Sequence, residues 1–272
     1  MALNEKSRLQ VLVATMHRQD LSLAEEMNIR CDAVLANQAD RDEFAAEDTP
    51  YGKVKMITTA TRGVGLNRNV ALLAAEGDIL LFADDDVVYN DDMPQAVVKA
   101  FAENPRADVL VFGMDILKAG EITRRCQKKQ RLYVWNSMRY GTYRIAIRRS
   151  AQRQHALFFN QCFGGGCPFS AGEDSLFLKS CFDRGLRVYA HDYVLGTCCK
   201  DTSTWFTEYG EKYFYDKGVL VRRLFPRLFG LMALYFAICF KRETKLSALQ
   251  RIRLVYAGVR GGKTMKPFDG TK

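Results

Sequence analysis

The chain has 272 residues, 48% hydrophobic and 26% charged, with a formal net charge of +9. That composition excludes disorder, collagen and coiled coil. At about 100–200 residues per domain, it allows one large domain or one domain with an appendage. The charge is unevenly spread: residues 1–120 hold 20 acids and 12 bases, and residues 121–272 hold 11 acids and 28 bases. An acidic half followed by a basic half predicts a polyanion or anionic surface meeting the second half. The cysteines (Cys31, Cys126, Cys162, Cys167, Cys181, Cys198, Cys199 and Cys239) are scattered, with no CxxC. A chain of this length needs no disulfide scaffold. Its polar N-terminus shows no signal peptide, so a cytoplasmic protein with reduced cysteines is expected.

Leu9–Ala14 (LQVLVA) is an apolar run ending at Thr15-Met16-His17, and it reads as a buried strand. Leu21–Ile29 has helical spacing, Ala33–Ala36 is a second strand ending at Asn37-Gln38, and Val54–Thr58 is a third. Asn67–Ala75 has a period near 3.6 and stops before Gly77, which marks a helix end. Ile79–Ala83 (ILLFA) is a strand running into three aspartates; Met93–Glu103 is a helix and Val109–Phe112 a strand. This alternation predicts an α/β layer on a mainly parallel sheet, with ligands at the carboxyl ends of the strands. Beyond residue 121, Arg124–Arg131 is basic and Tyr143–Ile147 alternates like a half-exposed strand. Phe163–Gly172 (FGGGCPFSAG) is a glycine-rich loop, Glu173–Cys181 is helical and Leu186–Ala190 is a strand.

Asp84, Asp85 and Asp86 follow a strand directly, and their like charges repel unless a cation joins them. On an extended segment Asp84 and Asp86 point the same way, and hard oxygen ligands suit Mg²⁺ or Mn²⁺. A solvated turn explains the same run without a metal. Asp91-Asp92 reads as capping the Met93–Glu103 helix.

The run Thr61-Arg62-Gly63-Val64-Gly65-Leu66-Asn67-Arg68-Asn69, a helix, Gly77-Asp78, an apolar strand and then Asp84-Asp85-Asp86 resembles family 2 glycosyltransferases of the GT-A fold. In that family an Arg-Asn pair opens a helix and Gly-Asp precedes the strand that bears the DXD motif. Ala171-Gly172-Glu173-Asp174 resembles the family's Gly-Glu-Asp motif, whose aspartate is the acceptor-activating base. Tyr140-Gly141 and Ser203-Thr204-Trp205-Phe206 resemble a capsule or exopolysaccharide subset.

The resemblance implies a mostly parallel mixed sheet flanked by helices. It implies a catalytic domain over 1–216 (nucleotide-sugar half 1–120, acceptor half 121–216) and a basic amphipathic helical tail over 217–272. It implies an inverting hexosyl transfer from a UDP-sugar to a glycan or lipid-linked glycan, with Asp174 as base and Asp84 and Asp86 holding Mn²⁺ or Mg²⁺. Ala14, Thr15, Asn37, Arg62, Arg68, Asp84 and Asp85 are then expected at the nucleotide sugar, and Glu173 and Trp205 on the acceptor side. Simpler roles compete. Glu173 and Asp174 suit a helix dipole, Arg62 and Arg68 suit a surface, and Trp205 suits loop packing. Gly63 and Gly65 fit a tight backbone approach.

Several signals fail. Gly63-Val64-Gly65 meets Arg68 where a dinucleotide fingerprint needs glycine, and Gly262-Lys263-Thr264 lacks the first glycine of a P-loop. The cysteines and the histidines His17, His155 and His191 lack zinc spacing. Two other functions remain to be weighed. A nucleotidyltransferase needs a basic glycine-rich loop where Thr15-Met16-His17-Arg18 stands, and a nucleic-acid binder leaves the aspartates unexplained. Leu228–Phe240 carries no charge and is flanked by Arg222, Arg223, Arg227, Lys241 and Arg242. It is too short to span a bilayer, so 222–242 reads as an interfacial helix at the inner face of the cell membrane, or as a core helix packing on the chain or on a second copy.

Overall fold

A computed structural model describes residues 7–123, 128–199, 209–240 and 243–270. The strands are β1 (Leu9–Met16), β2 (Asp32–Gln38), β3 (Glu43–Thr49), β4 (Gly52–Thr59), β5 (Ile79–Asp84), β6 (Val87–Tyr89), β7 (Val109–Lys118), β8 (Glu121–Thr123), β9 (Gln130–Arg131), β10 (Ile145–Arg148) and β11 (Val188–Cys199). The helices are α1 (Leu23–Glu26), α2 (Val64–Leu73), α3 (Met93–Glu103), α4 (Val134–Ser137), α5 (Arg149–Gln154), α6 (Glu173–Asp183), α7 (Glu211–Leu224), α8 (Phe229–Ile238) and α9 (Ala248–Gly261).

All the strands join one sheet, in the order β3-β4-β2-β1-β5-β10-β7-β11-β6, with β8 on β7 and β9 on β11. β4, β2, β1 and β5 run parallel, as do β7 and β11; β10 enters between β5 and β7 antiparallel to both. Both faces of the sheet are covered, which is why the parallel strands read as unbroken apolar runs. One face buries Val11, Val13, Leu35 and Leu81 with Met93, Val97 and Phe101 of α3. The other buries Leu12, Val34, Leu80 and Phe82 with α2 and α6, and there Phe82 meets Phe159 and Phe177 edge-on.

Several local expectations change. The spacing of Leu21–Ile29 yields only the short α1, and β3, whose residues are mostly exposed, is held by pairing with β4. Tyr143–Ile147 is not half-exposed: Thr142–Arg144 forms a 3-10 turn and Ile145–Arg148 is fully buried. Asp92 does not cap α3 with its side chain but accepts the Tyr193 hydroxyl at 2.7 Å. Two bases of the cationic half lie inside. Arg144 donates from Nε to Phe112 O on β7, and Arg148 donates to Ala107 O ahead of β7 and to Phe101 O near the end of α3.

A boundary at 216/217 falls inside α7, which continues unbroken from Glu211 to Leu224. Gly218 of α7 and Gly258 of α9 bring the two backbones together; a Cβ at Gly258 meets the Tyr215 carbonyl oxygen and one at Gly218 meets that of Val255. Lys263 and Thr264 follow the end of α9 and open no helix, in keeping with the failed P-loop match. Among the described residues no helix is long and apolar enough to cross a membrane. Gly258→Ala forces α7 and α9 apart, and the expected loss is about 1–3 kcal/mol, read as a lower midpoint in denaturant unfolding.

Candidate active site

The site is built around the first turns of α2, where three consecutive polar side chains are buried. Asn67 Nδ2 donates to Thr15 O at 3.0 Å and to Ala36 O at 2.8 Å, tying the ends of β1 and β2 to the helix. Asn69 donates to Phe159 O at 2.9 Å and accepts Phe159 N at 2.7 Å, which holds the segment leading to the glycine-rich loop. Between them Arg68, 5% exposed, donates to Asp84 Oδ1 at 2.6 Å and to Glu173 Oε1 at 2.9 Å. Burial alone lowers the guanidinium pKa, but the charges of Asp84 and then Glu173 outweigh it and hold it above its ordinary value. The end of β5 and the start of α6, 89 positions apart in the chain, therefore share one cation.

The acidic run turns as β5 ends. Asp84 closes the strand and Asp85-Asp86 form the turn, so strand alternation stops at Asp84. Asp85 is exposed and its Oδ2 accepts the Thr15 hydroxyl at 2.6 Å; half-buried Asp86 accepts Cys199 N on its backbone oxygen. Opposite, Gly172 adopts φ 119° and opens α6, with Glu173 and Asp174 in its first turn. Glu173 Oε2 accepts Gly172 N at 3.1 Å, and Asp174 Oδ1 accepts Ser175 N at 2.6 Å. Burial, followed by the neighbouring charge of Glu173, pushes the Asp174 carboxyl up to about 6, against the opposing pull of Ser175 N–H, Arg68 and Lys217. A carboxyl tuned toward neutrality beside a cleft is a mark of general acid–base chemistry.

The loop ahead of α6 is held from two sides. Val64 N donates to Gly165 O, a Cβ at Gly65 overlaps the Asn160 carbonyl oxygen, and one at Gly63 lies 3.0 Å from Cys167 Sγ. At Gly164, φ +106°, a Cβ falls 2.9 Å from the Glu173 carboxyl carbon. The close approach expected at Gly63 and Gly65 is thus to the 160–167 segment. From the far side Asp216 of α7, 3% exposed, accepts Ser170 N at 2.9 Å, Ser170 Oγ at 2.8 Å and Lys212 Nζ at 2.6 Å on one oxygen.

Ala14, Thr15, Asp84, Asp85, Asp86, Glu173 and Asp174 therefore gather at one end of the sheet, around α2. Three roles change. Asn37 is fully buried; its amide donates to Arg18 O and Thr58 Oγ1 and its carbonyl accepts Arg18 N, so it shapes the end of β2 and offers no edge to a base. Arg68 is buried and held by two carboxylates, and Glu173 is one of them. Arg62 is exposed in the segment before α2. Trp205, with Ser203, Thr204 and Phe206, lies outside the described residues. Asn69 and Asp216 were not foreseen, because their partners lie 90 and 46 positions away.

A mixed sheet with parallel strands ending at an acidic turn, beside a helix that opens on Glu-Asp, is a fold of the GT-A type. The chain belongs to glycosyl transferase family 2, whose model matches residues 1–169, and it is a nucleotide-sugar-dependent glycosyltransferase of that family. The matched span includes the acidic turn and stops short of Asp174. Among solved structures, S. aureus TarS 1–349 in complex with UDP-GlcNAc is 14% identical, with TM-score 0.57 over 97% of this chain and 74% of that one. A longer S. aureus TarS is 15% identical, with TM-score 0.55 over 93% of this chain and 43% of that one. At these identities the likeness is one of fold. The mannosyltransferase PcManGT from Pyrobaculum calidifontis in complex with GDP-Man and Mn²⁺ is 14% identical over 98% of this chain and 79% of that one; its TM-score of 0.49 is too low to bear on the fold. No curated protein matches the chain in sequence.

Arg68→Met strands Asp84 and Glu173 without a cation, and the expected cost is about 3–5 kcal/mol in urea unfolding at neutral pH. Arg68→Met/Glu173→Gln should recover part of it at neutral pH.

Proposed function

We propose that the chain moves a sugar from a UDP-sugar to a hydroxyl of a glycan or lipid-linked glycan, with inversion, in the synthesis of a surface polysaccharide. The observation that supports this reading is the double ion pair of Arg68, which ties the acidic turn to the helix start bearing Glu173 and Asp174. The nucleotide lies along the backbone of Ala14-Thr15, with Asp85 and Arg62 at its edge. Asp174 takes the acceptor proton as the acceptor oxygen bonds the anomeric carbon, and the bond from that carbon to the diphosphate breaks with its electron pair leaving on the phosphate oxygen. A base in this position contributes about 10²–10⁴-fold.

The charge balance of the cleft argues for a divalent ion. Asp84, Asp85, Asp86, Glu173 and Asp174 outnumber the cations Arg68 and Lys217 that act on Asp174, so the bare cleft repels a diphosphate. Among the described residues no three acidic, histidine or cysteine side chains converge to hold an ion by themselves. That suits Mn²⁺ or Mg²⁺, which take one or two carboxylates and fill their other positions with water and phosphate oxygens. Asp86 and the second oxygen of Asp84 would hold the ion, and when bound it neutralises the leaving diphosphate. The polysaccharide class rests on the Tyr140-Gly141 and Ser203–Phe206 resemblance.

A panel of nucleotide sugars, beginning with UDP-GlcNAc and GDP-Man, tests the reading through metal-dependent release of the nucleotide diphosphate. Release from none of them, with Mn²⁺ or Mg²⁺ present, refutes it. Asp174→Asn is expected to fold, keep nucleotide affinity in calorimetry and lose transfer by at least about 10²-fold; turnover near the wild-type rate removes Asp174 as base. Because the base must be ionised, log kcat/KM should rise with pH and level off above about 6. A limb near the ordinary aspartate value in the free enzyme contradicts the assignment. The sign for stability is opposite. Raising the folded pKa makes ionised Asp174 destabilising, so Asp174→Asn should raise Tm at pH 8 and leave it nearly unchanged at pH 4. Asp216→Ala frees Ser170 and lets the loop before Asp174 drift; kcat should fall about tenfold with donor KM little changed, since 1 Å misplacements cost up to about 10².

A further inference from the structure

Every residue of α8, FGLMALYFAI, is uncharged, so periodicity cannot say which side packs. The tertiary structure decides, and it puts the small side chains inside. Ala233 and Ala237, one turn apart and fully buried, sit with Phe214 and Val221 of α7 and Val255 and Val259 of α9. Phe229, Met232 and Phe236 pack partly against this cluster, but other large side chains face out: Leu228 just ahead of the helix is 59% exposed, Leu231 67%, Tyr235 61% and Ile238 55%. Burying alanine while exposing leucine and isoleucine is the reverse of what a core helix does, and an exposed apolar cluster of this kind marks a docking surface. Exposed Arg227 directly precedes Leu228, exposed Arg223 lies in the last turn of α7 with Nε donating to Met265 Sδ, and residues 217–272 hold 13 bases against 2 acids.

We propose that the outer face of α8 docks on an anionic bilayer surface, with Leu231, Tyr235 and Ile238 at the acyl boundary and Arg223 and Arg227 among the headgroup phosphates. At 1.5 Å per residue, α8 is about 15 Å long, so it lies in the plane of the surface and does not cross it. Charge selects this occupant over a second copy of the chain. A twofold contact through α8 brings two cationic tails face to face, whereas an anionic leaflet neutralises the same charge. The docking stands apart from the sugar transfer and is read without it. The two meet in α7, which leads to α8 and holds the loop before Asp174 through Asp216.

The full chain is floated with phosphatidylcholine vesicles and with mixed phosphatidylcholine–phosphatidylglycerol vesicles, at low and high salt. It should float with the mixed vesicles at low salt, be partly released by salt, and stay behind with phosphatidylcholine alone. Leu231→Asp/Ile238→Asp should abolish flotation while Tm and nucleotide binding stay at wild-type values, and Arg223→Gln and Arg227→Gln should each weaken partition about fivefold. Three results overturn the proposal: no flotation with the mixed vesicles at low salt, flotation unchanged in Leu231→Asp/Ile238→Asp, or a lipid-free dimer in analytical ultracentrifugation that this double variant dissolves.

Discussion

One guanidinium holds the end of a strand and the start of a helix together. Arg68 reaches from α2 to Asp84 on β5 and to Glu173 on α6. Without it, two partly buried carboxylates would face one another and drive the strand end and the helix start apart. A buried ion pair is a modest source of stability, since hydrophobic replacements often serve as well. Its contribution here is positional. The pair fixes Glu173, the charge of Glu173 helps raise the carboxyl of Asp174, and the proposed base comes to lie beside the acidic turn.

The neighbours of Arg68 carry the same logic outward. Asn67 fixes the ends of β1 and β2, where the nucleotide is proposed to lie, and Asn69 fixes the chain at Phe159. The glycine-rich loop then passes so close to α2 that side chains are excluded at Gly65 and Gly164. Asp216 holds the other end of that loop, so the C-terminal helices belong to the architecture of the site. Without α7, Ser170 would lose its carboxylate partner.

The basic second half divides into two uses. Arg144 and Arg148 are interior and satisfy backbone carbonyls around β7 and α3, while Arg223, Arg227, Arg253 and Arg260 stay outside. The basic surplus of the second half is concentrated in residues 217–272, with 13 bases against 2 acids, whereas the acidic turn and Glu173-Asp174 carry carboxylates. A nucleic-acid binder would carry its cations in its cleft. Here the cleft carries carboxylates, as a diphosphate brought in with a divalent ion would need.

Much of this was legible in residue order. The apolar runs of β1, β2, β4 and β5, the helices α2, α3 and α6, the aspartates at the tip of β5 and the Glu-Asp opening α6 all follow from local periodicity and from polar residues placed where a run ends. β3 and β6 were not legible, because a short or polar strand exists only through the partner that pairs with it. Nor were the tasks of Asn37, Arg68 and Glu173. A polar side chain in a sequence does not show whether it meets a ligand or a carbonyl, and the partners of Arg68 lie 16 and 105 positions away. For α8 the chain order supplied only an apolar segment. Which side packs was decided when Gly218 and Gly258 let α7 and α9 close to backbone contact, alongside the seat where only alanine-sized groups of α8 are buried. Residue order therefore set the elements and the chemistry at their ends; long-range packing set which of those groups face a substrate and which face each other.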